Sequence, residues 1–94
     1  MMHYTYVLLS ESAGRFYTGY SADLRKRLAD HQRDRVRWTA AHQPVRLIYY
    51  EACLSQEDAL RRERFLKSGK GKRYLRNRLA SHLSSSKCSK LERH

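Results

Sequence analysis

Four scarcities narrow this chain before any residue is given a role. Cysteine is nearly absent: Cys53 and Cys88 are the only two in 94 residues. They make no disulfide framework, and no CxxC pair suggests zinc. No apolar run approaches the roughly 18 residues of a membrane-spanning helix, which excludes that class. The N-terminus lacks the basic-then-apolar order of a secretory signal, so a cytoplasmic protein is expected. Acids are few, nine Asp and Glu against 20 Lys and Arg, giving a formal charge of +11 and a pI near 10.2. What remains is a chain of 11.2 kDa, room for one small core. A hydrophobic content of 40%, with seven Tyr, two Phe and one Trp, argues for a folded unit rather than a disordered basic tail.

The positive charge is concentrated. Residues 61–78 carry nine bases and a single acid, Glu63, and residues 25–37 carry six bases and two acids. Two such blocks on one small domain form an electrostatic footprint for phosphates. A membrane surface fits less well, because no helix pairs this charge with a broad apolar face. A charged face kept only for solubility is the alternative. Within the blocks, Arg25, Lys26, Arg35, Arg37, Lys67, Lys70, Lys72 and Arg73 are the candidates for nucleic-acid contact.

The pattern along the chain predicts β-β-α-β-α-α. Residues 3–9 and 15–20 are rich in aromatic and β-branched side chains and form a hairpin around a small polar turn. Ser21 is placed to cap a helix from Ala22 to about Gln32. Residues 33–44 lack a sustained period and read as an irregular loop ending at Pro44. Val45–Cys53 is the third strand. Ser55 with Asp58 resembles a capping box for a helix to Lys67, which Ser68-Gly69 ends through a left-handed glycine. A last helix over 72–83 aligns Leu75, Leu79 and Leu83. The expected fold class is α+β: a three-stranded, mainly antiparallel sheet flanked by helices. The domain spans 1–83, and 84–94 is read as a disordered basic tail.

Five side chains are poorly explained by packing. An even-numbered hairpin loop puts Tyr6 and Tyr17 on one face of the sheet, opposed or diagonal; aromatic packing is an equal reading. Arg27 and His31 stack at i and i+4 beside the Leu24–Leu28 stripe. They suit a phosphate clamp and a proton carrier, or simply form an exposed pair. Glu63 lies inside the apolar stripe of its helix, where a carboxylate requires a partner. Either a salt bridge, for which Arg27 is a candidate, or a hard divalent cation meets that need. Trp38 in the loop is a stacking platform or a lid over the core, the lid being the better fit.

In this order and spacing, Tyr4-Thr5-Tyr6, Tyr17-Thr18-Gly19, Arg27, His31 and Glu63 resemble the GIY-YIG endonucleases over about residues 3–80. The Asp23–His31 run and the Arg62–Lys72 segment resemble its small single-domain bacterial members. Those are relatives of the catalytic N-terminal domain of the excision-repair endonuclease that incises damaged DNA. Tyr4 stands where the first motif has Gly, and Thr18 where the second has Ile. The resemblance implies a sheet-and-helix nuclease that hydrolyses DNA phosphodiesters with Mg²⁺ or Mn²⁺, in repair or processing and selective for structure or strand. RNA is a second candidate partner, and a nucleic-acid-binding module without catalysis is the alternative. It also implies that Glu63 holds the metal and that Tyr6 and Tyr17 line the water-activating site. Arg27 would steady the scissile phosphate, and His31 would assist proton transfer. Asn77, the only asparagine, aligns with a late family Asn. A free phenol titrates near pH 10, so Tyr6, the favoured base, is expected to need neighbouring positive charge that lowers its pKa.

Overall fold

The computed structural model describes residues 1–84. The expected tail, with Cys88, therefore lies outside the described residues except for Ser84, which closes the last helical turn through its N–H on the Ala80 carbonyl (3.0 Å).

The sheet has three antiparallel strands in the order β2-β1-β3: β1 (His3–Ser10), β2 (Arg15–Ser21) and β3 (Val45–Cys53). β1 is central, and it is buried continuously from Thr5 to Ser10. A central strand covered on both faces needs apolar or hydrogen-bonded side chains at every position, which the run Thr-Tyr-Val-Leu-Leu-Ser provides. The hairpin register pairs Tyr6 with Gly19 and Leu8 with Tyr17, so the two tyrosines share a face on a diagonal. Between β1 and β3 the register shifts at Val7/Leu8, pairing Val7 with Tyr49 and Leu8 with Leu47. Ile48 is the extra residue. This bulge lets Ile48 and Tyr49 both pack on the face of Val7, while Leu47 packs beside Leu8 on the other.

Five helices follow: α1 (Leu24–Gln32), α2 (Arg37–Ala41), α3 (Gln56–Lys67), α4 (Gly69–Arg78) and α5 (Ala80–Leu83). Several boundaries differ from the sequence expectation. Asp23, not Ser21, caps α1 by accepting from the Lys26 N–H (3.2 Å), because the Ser21 hydroxyl is engaged with the Asp23 backbone instead. The expected loop at 33–44 contains α2, too short for a helical period to show. Ser55 caps α3 as expected, accepting from the Asp58 N–H at 3.4 Å. Gly69 does not end α3 in a left-handed turn. Ser68, in extended conformation, closes α3 and caps α4, which begins at Gly69 and is separated from α5 at Leu79. Gly71 permits this tight junction, since a Cβ there would collide with the Phe65 carbonyl oxygen.

One face of the sheet packs against α3, α4 and α5 through Val7, Leu9, Leu66, Leu75 and Leu83, joined by Phe16, Ile48 and Leu79. The Thr5 hydroxyl donates to the Ala59 carbonyl of α3 at 2.8 Å. Arg62, one of the nine bases of the second block, is structural. Its Nε donates to Glu51 (2.7 Å), and its guanidinium lies over Phe65 and Tyr74 at 5.0 and 4.9 Å.

Candidate active site

The opposite face of the sheet carries α1 and α2, and its interior is built differently. Tyr6 is fully buried, yet its ring does not stop inside the sheet. It lies across Gly19 of the neighbouring edge strand; a Cβ at that position would sit 2.5 Å from the Tyr6 hydroxyl. The glycine of the second motif is thus a matter of clearance, with no positive φ involved: only hydrogen fits beneath the phenol.

Three groups converge on that phenol. His31 Nε2 is 2.8 Å from the hydroxyl, and Arg27 Nε donates to the phenol oxygen at 3.4 Å. The i, i+4 spacing on α1 brings both to the same spot, and Asp23 sets the start of the helix that carries them. Tyr17 completes the ring cluster, with its centroid 6.4 Å from Tyr6 and 5.1 Å edge-on to His31.

The direction of the hydrogen bonds follows from Thr39. Its hydroxyl donates to the Val36 carbonyl (3.1 Å), so toward His31 Nδ1, at 3.0 Å, it can only accept. Nδ1 therefore carries the imidazole proton, Nε2 is bare, and the Tyr6 hydroxyl donates to it. The chain runs Tyr6 O–H to His31, His31 N–H to Thr39, Thr39 O–H to Val36. All three side chains are buried, and each of their polar atoms is satisfied.

The electrostatics agree with that assignment. Burial, reinforced by the charge of Arg27 and only partly opposed by Asp30, lowers the His31 pKa to about 4, so the ring is neutral at pH 7. Burial likewise pushes the Tyr6 phenol up to about 12, outweighing the hydrogen bond from Arg27 that favours the phenolate; Tyr17 and Glu63 add to the rise. The expected phenol is one lowered by Arg27 together with a bound metal, and Arg27 by itself does not lower it. Desolvation wins over one guanidinium.

Glu63 is near enough to Tyr6 to raise its pKa, but it is not a buried orphan. About a fifth of its side chain is exposed, and its Oε2 pairs with Lys67 Nζ at 3.1 Å, one turn along α3. Arg27 is not its salt-bridge partner. Among the described residues no group of three His, Cys, Asp or Glu gathers to cage a metal. The donor set is a single carboxylate whose partner is a solvent-exposed lysine.

The remaining candidates separate into groups. Arg25, Lys26, Arg35, Arg37, Lys67, Lys70, Lys72 and Arg73 are all exposed. Arg35 pairs with Asp30 (3.4 Å). Asn77 is exposed on α4 and makes none of the hydrogen bonds of the tyrosine cluster. Trp38, now on α2, packs 5.2 Å from Tyr17 and stacks on His42 at 4.1 Å, as a lid on the cluster. Sequence reasoning missed Thr39, because α2 carries no pattern to flag it. It also passed over Gly19, whose signal was its place opposite Tyr6 in the hairpin.

Comparison with known proteins agrees with the geometry. The GIY-YIG catalytic domain matches residues 2–75. A UPF0213 protein of Streptococcus pneumoniae is 41% identical over 68 residues, covering 71% of this chain and 68% of its own. One from Halobacterium salinarum is 40% identical over 63 residues, 66% of this chain and 80% of its own. Another, from Streptococcus pyogenes, is 38% identical over 86 residues, 89% and 91% respectively. No solved structure matches. With the paired tyrosines, Arg27, His31 and Glu63 arranged around one phenol and the domain matched across most of its length, the chain belongs to the GIY-YIG catalytic domain family.

Proposed function

We propose that this protein is a divalent-metal-dependent endonuclease that hydrolyses DNA phosphodiester bonds. The observation that carries the proposal is the Tyr6 hydroxyl, held between Arg27 Nε and His31 Nε2 within electrostatic reach of Glu63. A phenol with its proton already aimed at a neutral imidazole is a relay. It takes a proton from attacking water as it passes its own to Nε2. That concerted exchange bypasses a free phenolate, which burial of the phenol disfavours at neutral pH. Arg27 supports charge growing on the phenol oxygen, and its other N–H groups can clamp the scissile phosphate. Thr39 keeps the imidazole in the tautomer that can accept. The new P–O bond forms from the water oxygen as the P–O bond to the leaving oxygen breaks. The leaving oxygen takes a proton from solvent, and His31, whose pKa of about 4 prevents it from keeping the extra proton at neutral pH, gives that proton up to solvent.

Glu63 is the residue to hold a metal. One partly exposed carboxylate suits Mg²⁺ or Mn²⁺, ions that keep most of their waters and bind through one or two carboxylates and substrate phosphates. When bound, such an ion supplies neutralisation of charge on the phosphate.

The test is cleavage of end-labelled single-stranded, branched and duplex DNA, with RNA alongside, in Mg²⁺ and in Mn²⁺. Wild type is expected to cut DNA, and Glu63→Gln to lose at least about a hundredfold in rate while keeping its thermal stability. Equal cutting by both proteins would sink the proposal. Metal-independent binding with no product would mark a binding module.

A further inference from the structure

An open cleft of about 420 Å³ lies along the edge strand β2, on the hairpin-loop side of the tyrosine cluster. It is lined by Gly14, Arg15 and Phe16 of the hairpin, Trp38 of α2, and Lys72 and Arg76 of α4. Three of the six are cations drawn from two distant parts of the chain, and none is acidic. Lys72 and Arg76 stand at i and i+4, a like-charge spacing that does nothing for helix stability. Arg15, Lys72 and Arg76 are all exposed, and among the described residues none of the three joins an ion pair. The Arg76 guanidinium sits 6.0 Å above the Phe16 ring, and Trp38, also in the lining, packs 5.2 Å from Tyr17 of the tyrosine cluster. One indole thus borders both the cleft and the candidate active site.

The strand itself sets the separation. Gly19, beneath the Tyr6 hydroxyl, is three residues from Phe16 along β2 and five from Gly14 in the turn just before the strand. At roughly 3.3 Å per residue along the strand, and less through the turn at Gly14, that is about 10–15 Å. A stacked nucleic-acid strand advances about 3.4 Å per nucleotide, so the cleft lies about three to five nucleotides from the bond at Tyr6.

We propose that this cleft is a flanking-phosphate subsite. It holds a backbone phosphate of the substrate strand about three to five nucleotides from the cut, between Arg15, Lys72 and Arg76. Phe16 and Trp38 form the wall against which the neighbouring sugar and base pack. The inference rests on the nuclease reading above and adds where the strand runs: along the edge of β2, from Arg27 past Tyr17 to the hairpin. Substrates that end short of the cleft lose its hold.

Interference mapping tests it. Oligonucleotides carrying one neutral methylphosphonate at a random position are cut by the full-length protein, and the positions that suppress cutting are read relative to the cut. Wild type is expected to show suppression at the cut and a second maximum about three to five nucleotides to one side. Lys72→Gln with Arg76→Gln, both exposed positions, should erase the second maximum and keep the first. Binding in EDTA should show the salt slope of that double variant reduced by about 1.4, at roughly 0.7 per lost contact to a single strand. Arg46→Gln, outside the cleft, should leave both readouts unchanged. A wild type that cuts without a second maximum, or a double variant that retains it, overturns the cleft alone. A wild type that does not cut overturns the nuclease reading and the subsite with it.

Discussion

The two faces of the sheet are made from one strand, and they have opposite characters. Odd-numbered residues of β1 face α3, α4 and α5: Thr5, Val7 and Leu9 meet Leu66, Leu75 and Leu83 in an interior with little polar content. Even-numbered residues face α1 and α2: Tyr6 and Leu8 meet a buried histidine, a buried threonine, a second tyrosine and an arginine. The first face is held by burial of hydrocarbon, which is non-directional and forgiving of small shifts. The second is held by a chain of hydrogen bonds in which each proton has one place to go, and a displacement anywhere changes the chemistry at Tyr6. Damage to the first should unfold the protein. Damage to the second should disarm it before it unfolds.

The largest effect is expected from Leu66→Ala, at a fully buried position of the apolar face. It should cost about 2 to 5 kcal/mol by denaturant titration. Any activity lost should track the folded fraction.

Acid comes next and strikes the other face. His31 titrates near 6.5 when unfolded and near 4 when folded, so between those values the unfolded state binds the extra proton. Stability present above pH 6.5 should fall by about 3 kcal/mol as pH drops to 4, at 1.36 per pKa unit. Urea titrations at pH 7 and 4.5 should show a steeper loss for wild type than for His31→Phe, which has no proton to gain. Equal losses in the two proteins would remove His31 as the acid-sensitive group.

Gly19→Ala tests the clearance under the phenol. Its Cβ would stand 2.5 Å from the Tyr6 oxygen and push the ring off His31. A stability loss of about 1 to 3 kcal/mol is expected, with a rate loss exceeding what unfolding explains. The smallest stability effect is expected from Thr39→Val, which leaves the His31 N–H without an acceptor and costs about 1 to 2 kcal/mol. Ring-nitrogen chemical shifts should report a changed tautomer mixture, and Thr39→Ser should restore both tautomer and rate. A Thr39→Val enzyme with an unchanged tautomer and full rate would strip Thr39 of its positioning role.

Much of the apolar face could be read from the chain. The run Val45–Cys53 falls on the observed third strand, and Ser55 caps α3 where expected. Leu75 and Leu83 are buried as their spacing implies. These features depend on near neighbours and on periods of two or 3.6, which a linear sequence displays. The candidate site was legible as residue types in order, and the shared face of Tyr6 and Tyr17 followed from an even loop length, while the register alone decided that they lie on a diagonal. Its working state was not. The sign of the Tyr6 shift depends on how far burial outweighs one guanidinium. The i, i+4 spacing of Glu63 and Lys67 is visible in the chain, but only the fold shows that Arg27 is drawn to the phenol and leaves Lys67 as the partner of Glu63. Thr39 was hidden because a five-residue helix has no period.

By itself, the sequence determined the strands, the capped start of α3, the basic charge and the set of side chains on offer, since each is written in local spacing or composition. Tertiary structure alone decided which way each proton points. That choice requires Thr39 of α2, His31 of α1 and Tyr6 of β1 to meet in the folded interior, and no local pattern in the chain encodes such a meeting.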